Sequence, residues 1–100
     1  MAAYMIVFAK VKDRDAFLQG YAPVAGKLVE KFGGRYLIRA QGAEVLEGSL
    51  DSGASVVISE WPDKNTILQF WNSPEYQEAK KLRDGIADVE VTIVEAPAAT

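Results

Sequence analysis

YMIVFAKV, residues 4–11, is apolar on both of its alternating faces. Tyr4, Ile6, Phe8 and Lys10 fall on one side of an extended chain, and Met5, Val7, Ala9 and Val11 on the other. β-Branched and aromatic residues at this density predict a strand. A strand with two apolar faces belongs inside a sheet that is covered on both sides. The chain must therefore supply, or recruit, two covers.

The segments that follow supply one of them. Asp13 caps a helix whose stripe runs Phe17, Tyr21, Val24, Leu28 and Phe32, with Leu18, Ala25 and Val29 beside it. Pro23 within that stripe removes a backbone donor and predicts a kink, and Gly33-Gly34 ends the helix. RYLIRA (35–40) reads as a second strand, with Arg35, Leu37 and Arg39 on one face and Tyr36 and Ile38 on the other. AEVLEG (43–48) is a possible extension of it beyond a bulge or turn at Gln41-Gly42, LDSG (50–53) a turn, and ASVVISEW (54–61) the third strand.

Asp63 then caps a short helix with Ile67, Leu68, Phe70 and Trp71 inward. In WNSPEY (71–76), Ser73 is an N-cap, Pro74 takes the first helical position, and Glu75 suits the positive helix end. The helix therefore breaks and restarts, running from Pro74 to about Gly85. Its apolar side carries Tyr76, Ala79, Leu82 or Arg83, and Ile86. VEVTIVE (89–95) is the last strand.

The order β-α-β-β-α-β predicts an α+β domain, the ferredoxin-like split β-α-β arrangement with a four-stranded antiparallel sheet and helices on one face. It should span residues 1–96 as one domain, with 97–100 a loose C-terminal tail. Nothing remains to cover the second face, so a second copy of the chain is the economical cover and a homodimer is expected. Met5, Val7, Tyr36, Ile38, Val57 and Trp61 are assigned to the helices. Tyr4, Ile6, Phe8, Arg35, Leu37, Arg39, Val56, Ile58 and Glu60 are assigned to the partner or to a cavity beneath it.

Composition bounds the function. Net charge is −3, with 11 basic and 14 acidic residues interspersed, so no basic stripe favours nucleic acid. The chain has no cysteine and no histidine. Thiolate chemistry is thereby excluded, and the commonest metal, haem and acid–base ligands are missing, so neither a metal nor a cofactor is expected. No apolar run reaches the length of a membrane span, and the N-terminus lacks the marks of a signal peptide, so a cytoplasmic protein with no membrane partner is expected.

Two groups of candidate residues emerge. Arg35, Arg39 and Glu60 share one strand face by simple alternation. They form either an anion-recognising pocket, with Glu60 as base and Arg39 as anion stabiliser, or a structural Arg–Glu bridge. Tyr4 and Phe8 either wall that pocket or belong to a dimer core. Asn72, Ser73 and Tyr76 either flank a pocket mouth or serve only as capping and core residues, and Arg83 reads as a solvated helix residue or ion-pair partner. The functional reading is a small homodimer that binds a small, partly apolar organic anion; if it is an enzyme, metal-free proton transfer, isomerisation or cofactor-free oxidation would fit. The alternative is a non-catalytic protein with a packed or merely ligand-holding barrel.

GGRYLIRAQG, EVLEG, VVISEWPDKNTILQFWNSPEYQEAKKLR and VTIVE together resemble the domain of unknown function 1330, over nearly the whole chain from Tyr4 to Glu95. WNSPEYQ followed by LR, and GGRYLIR, are the most specific parts. The resemblance implies membership of the dimeric α+β barrel superfamily and a homodimer whose sheets enclose a barrel. Superfamily relatives include cofactor-free monooxygenases, lactone isomerases, haem-dependent chlorite-degrading enzymes and stress proteins. Members of the family often carry acids where this chain has Phe8 and Lys10.

Overall fold

The computed structural model describes residues 2–50 and 52–97. The expected tail lies outside the described residues from 98 onward, as does Asp51 of the expected turn. Four strands, β1 (Ala2–Val11), β2 (Arg35–Ala40), β3 (Ser55–Trp61) and β4 (Ala87–Ala96), form one sheet in the order β2-β3-β1-β4. All three pairings are antiparallel, and the doubly apolar β1 occupies an interior position.

The first helical run is not uniform. One α-turn, α1 (Arg14–Ala16), opens on Asp13, whose carboxylate accepts from the Ala16 amide at 3.1 Å. A π-helical segment (Phe17–Tyr21) follows, and α2 (Ala22–Lys31) completes it. The expected kink at Pro23 is thus taken up as a wider π turn just before it, where the Ala22 amide donates back to the Phe17 carbonyl. The extra residue in that turn shifts the helical phase. Ala25 and Val29 become the buried positions of α2, while Val24, expected inward, is exposed. Gly33, at φ +99°, closes α2 in a Schellman arrangement. The Gly34 amide donates to Val29 O at 2.9 Å and the Gly33 amide to Glu30 O at 3.1 Å.

On the other side, α3 (Lys64–Asn72) and α4 (Pro74–Lys80) meet at Ser73. The Ser73 hydroxyl accepts from the Tyr76 amide at 3.1 Å and donates to Phe70 O at 2.7 Å, so one side chain ends the first helix and starts the next. The second helix stops earlier than its periodicity suggests. It passes into a 3₁₀ turn (Lys81–Arg83), and of the two expected inward candidates Leu82 is exposed and Arg83 is turned in.

Trp61, Ile67 and Phe70 are the largest fully buried side chains. Phe70 joins the aromatic core, with ring centroids 5.0 Å from Trp61, 4.4 Å from Tyr76 and 5.9 Å from Phe32. The Trp61 indole N–H is satisfied by Ser59 Oγ at 2.8 Å. All of this lies on one side of the sheet. Overall extents of 35 × 35 × 17 Å leave depth for two layers only, one sheet and one set of helices.

One expectation about the sheet fails. The register runs Arg35↔Glu60 and Tyr36↔Ser59, then skips Leu37 and resumes at Ile38↔Ile58 and Arg39↔Val57. Leu37 is the extra residue of a β-bulge, and a bulge reverses alternation beyond it. Arg39 therefore joins Tyr36 and Val57 on the helix side, and Ile38 joins Ile58 on the open side. The shared Arg39–Glu60 site expected from alternation does not form. Among the described residues, 41–50 and 52–54 carry no regular strand; Ala43 N donates to Ala54 O at 3.0 Å and Gly53 N to Ala43 O at 2.8 Å.

Candidate functional site

A cavity of about 410 Å³ lies between the helix side of the sheet and the helices. Its sheet wall is apolar, built from Met5, Val7 and Ala9 of β1, Val57 of β3, and Val89 and Val91 of β4. Phe17, Ala25 and Val29 close it from the first helical run, and Phe70 and Tyr76 from the α3–α4 pair. The space exists because small residues, Ala9 and Ala25, stand where a core would place larger ones.

Its charged groups are few and of one kind. Arg14, Arg39 and Arg83 line it, and no carboxylate does. Three of the chain's four arginines are thus gathered here in a protein of net charge −3. Arg39 lies over the Tyr36 ring, Cζ 4.6 Å from the centroid, in cation–π contact. Arg83 lies 5.6 Å from the centre of the Tyr21 ring. The Arg83 Nε is buried without a hydrogen-bond partner among the described residues. Leaving such a donor unsatisfied costs about 1–3 kcal/mol, so the site is incomplete as a piece of protein structure.

Tyr21 and Tyr76 bring their hydroxyls to 2.8 Å across the cavity wall, from positions 55 residues apart. The π turn delivers Tyr21, and the Ser73 cap delivers Tyr76. Burial raises the Tyr21 pKa, helped by Tyr76, while Arg83 opposes the rise by charge and hydrogen bonding. The balance is strongly upward, so Tyr21 keeps its proton. Burial likewise raises Tyr36, against the pull of Arg39.

The candidates from sequence are divided by the sheet. Arg39 and Tyr76 line the cavity. Arg35, Glu60 and Tyr4 sit on the opposite face as a cluster of their own. Arg35 Nε and Nη2 donate to Glu60 Oε1 at 2.8 and 2.6 Å, and the Tyr4 hydroxyl donates to Glu60 Oε2 at 3.3 Å. The hydrogen bonds from Arg35 hold the Glu60 carboxyl below the usual range, aided by Tyr4. Phe8 shares that face, opposite Val56. Asn72 is exposed and does not line the cavity, and Ser73 is committed to capping. Sequence reasoning missed Tyr21, which reads as one member of an apolar stripe, and Arg83, which reads as solvated. Gly20 and Pro23 around Tyr21 were the signal that the helix is irregular there. Among the described residues, no group of three acidic, histidine or cysteine side chains is placed to hold a metal.

A family model matches residues 2–97, almost the whole chain. The chain belongs to the family described as domain of unknown function (DUF1330). No curated protein matches it. Among solved structures, a protein of unknown function from Rhodopseudomonas palustris is similar, with 20% identity and a TM-score of 0.78 over 98% of this chain and 84% of that one. SnoaB from Streptomyces nogalater, a cofactor-independent oxygenase, superposes at TM-score 0.69 with 13% identity, covering 98% of this chain and 95% of that one. A dimeric ferredoxin-like protein of unknown function from Jannaschia sp. CCS1 does so at 0.69 with 12% identity, covering 96% and 100%. At these identities the likeness establishes the ferredoxin-like fold. No helix among the described residues is long and apolar enough to cross a membrane.

Proposed function

We propose that this protein binds a small organic anion with an apolar body, in the cavity between helices and sheet rather than beneath the open sheet face. The observation that carries this is the cavity lining, in which every ionisable residue other than tyrosine is an arginine and the walls are apolar. A pocket of this size and make-up suits one small, largely buried ligand oriented by a few polar groups. Arg39, held over Tyr36, and Arg14 meet the charge near the exposed end, and the tyrosine pair meets the buried end. Glu60 has no part in this reading, because it lies across the sheet.

The working unit in this proposal is a homodimer. Tyr4, Ile6, Phe8, Val56 and Ile58 make the open face apolar, and Ile38 and Val94 on it are 46% and 48% exposed. A second copy laid face to face covers this patch. The Jannaschia protein, of the same fold, is dimeric, which supports that cover. The likeness to a cofactor-independent oxygenase supports metal-free oxidation of the ligand as the chemistry to assay first.

Native mass spectrometry on freshly purified protein tests both parts. The expected result is a dimer carrying a small-molecule adduct that Arg39→Leu loses. A ligand-free protein that also fails to bind any member of an aromatic carboxylate and sulfonate panel would defeat the binding proposal.

A further inference from the structure

The tyrosine pair has a proton to spare. Two hydroxyls carry two protons, and the single bond between them uses one. The second O–H has no acceptor among the described residues, and no carboxylate lines the cavity to receive it. Beside the pair stands the Arg83 guanidinium, with a buried N–H likewise unmatched. Tyr76 is 3% exposed, so its hydroxyl is presented from an almost dry wall. The chain thus builds, at the buried end of the cavity, a single phenolic donor backed by a cation and surrounded by apolar side chains.

We infer that the Tyr21–Tyr76 pair, backed by Arg83, is an oxyanion site that receives the ionised oxygen of an enol or phenol. This rests on the proposed organic-anion cavity and specifies its ligand. One donor suits one oxygen. A carboxylate at that depth needs more partners than the pair offers, whereas an enolate or phenolate spreads its charge into its own apolar body and loses less on leaving water. On binding, the ligand O–H bond breaks, its electron pair stays on oxygen, and the proton leaves to solvent. The upward shift of Tyr21 is consistent with this, because Tyr21 keeps its proton and so donates rather than competes for charge. One hydroxyl of the pair donates to the ligand oxygen while the other donates to that hydroxyl and strengthens it, and Arg83 is a positioning residue that polarises them.

4-Nitrophenol is the probe, because its absorbance reports its own ionisation. Naphthalene-2-sulfonate, a permanent anion, is the competitor that marks the cavity. Bound 4-nitrophenol should ionise about one pKa unit or more below its free value, the scale of one hydrogen bond to a charged oxygen. Either Tyr21→Phe or Tyr76→Phe leaves one donor without the second hydroxyl that backs it, and should keep part of the shift. The double variant should lose most of it. Arg83→Met should reduce the shift and Arg83→Lys should restore part of it, which a merely structural arginine would not do. Should the double variant not fold, the singles and the Arg83 pair read the same quantity. A normal pKa for bound 4-nitrophenol that the sulfonate displaces, or an undiminished shift in the double variant, overturns the oxyanion site and leaves the anion cavity standing. Failure of both probes to bind overturns both.

Discussion

Arg39 and Glu60 lie on opposite faces of one sheet. Arg39 packs on the Tyr36 ring at 4.6 Å on the helix side, and Glu60 takes two hydrogen bonds from Arg35 on the other. Stability should follow this division. In thermal denaturation, Arg35→Leu and Glu60→Gln should be non-additive, because they share hydrogen bonds. Arg39→Leu and Glu60→Gln should be additive. Strong coupling between the second pair would mean that the bulge at Leu37 is misplaced.

Acid should loosen the fold in a predictable direction. The Glu60 pKa is lowered, first by hydrogen bonds from Arg35, and Asp63 and Glu75 are lowered by Thr66 and Lys31. For groups depressed on folding, the unfolded chain binds protons first as pH falls. Their stabilisation is therefore complete above the unfolded carboxylate values, near pH 4–4.5, and is lost as pH drops through the folded values. Tm measured from pH 7 to pH 2 should decline below about pH 5, and Glu60→Gln should make that decline shallower. A Tm that rises on acidification contradicts the assignment.

Gly34 is a packing requirement. A Cβ placed there would come within 2.6 Å of the Trp61 ring, which is itself fully buried and cannot yield. Gly34→Ala should cost about 1–3 kcal/mol in urea unfolding, the range for overpacking a core. A neutral substitution would show that the close approach is relieved in solution.

Ser73→Ala should destabilise by about 1 kcal/mol through loss of the cap alone. It also removes the donor to Phe70 O. Because the cap orients Tyr76, the same variant should weaken 4-nitrophenol binding, measurable by absorbance titration. Ser73→Asp, which keeps a cap acceptor, should recover stability better than Ser73→Ala.

Placing a charge on the open sheet face should divide assembly from folding. Ile6→Asp or Ile58→Asp puts a carboxylate in the apolar patch opposite the helices. Light scattering at micromolar concentration should report a dimer for the parent and a monomer for each variant. A parent that runs as a monomer at every accessible concentration disproves the proposed cover.

Local chemistry made most of the fold legible. Gly33-Gly34, Asp13, Asp63 and Ser73 are short-range signals, and each performs the capping or ending role its residue type implies. The doubly apolar β1 is interior as its pattern requires. The bulge at Leu37 was not legible, because RYLIRA alternates cleanly and only pairing with β3 reveals the extra residue. The π turn hid the true phase of α2 in the same way. The cavity escaped for a third reason. Tyr21, Arg39, Tyr76 and Arg83 come from four segments, and each alone has a commonplace structural explanation.

The extra residue at Leu37 also sets how this chain must be compared with its relatives. A strand of this kind is a two-letter code, inside and outside, and an inserted residue inverts every letter after it. A column-by-column comparison with a relative whose strand runs straight would set Arg39 against a residue that faces the other compartment. Conserved positions on either side of Leu37 therefore have to be counted separately. An apparent swap of an arginine for a leucine past that point can leave both surfaces chemically unchanged.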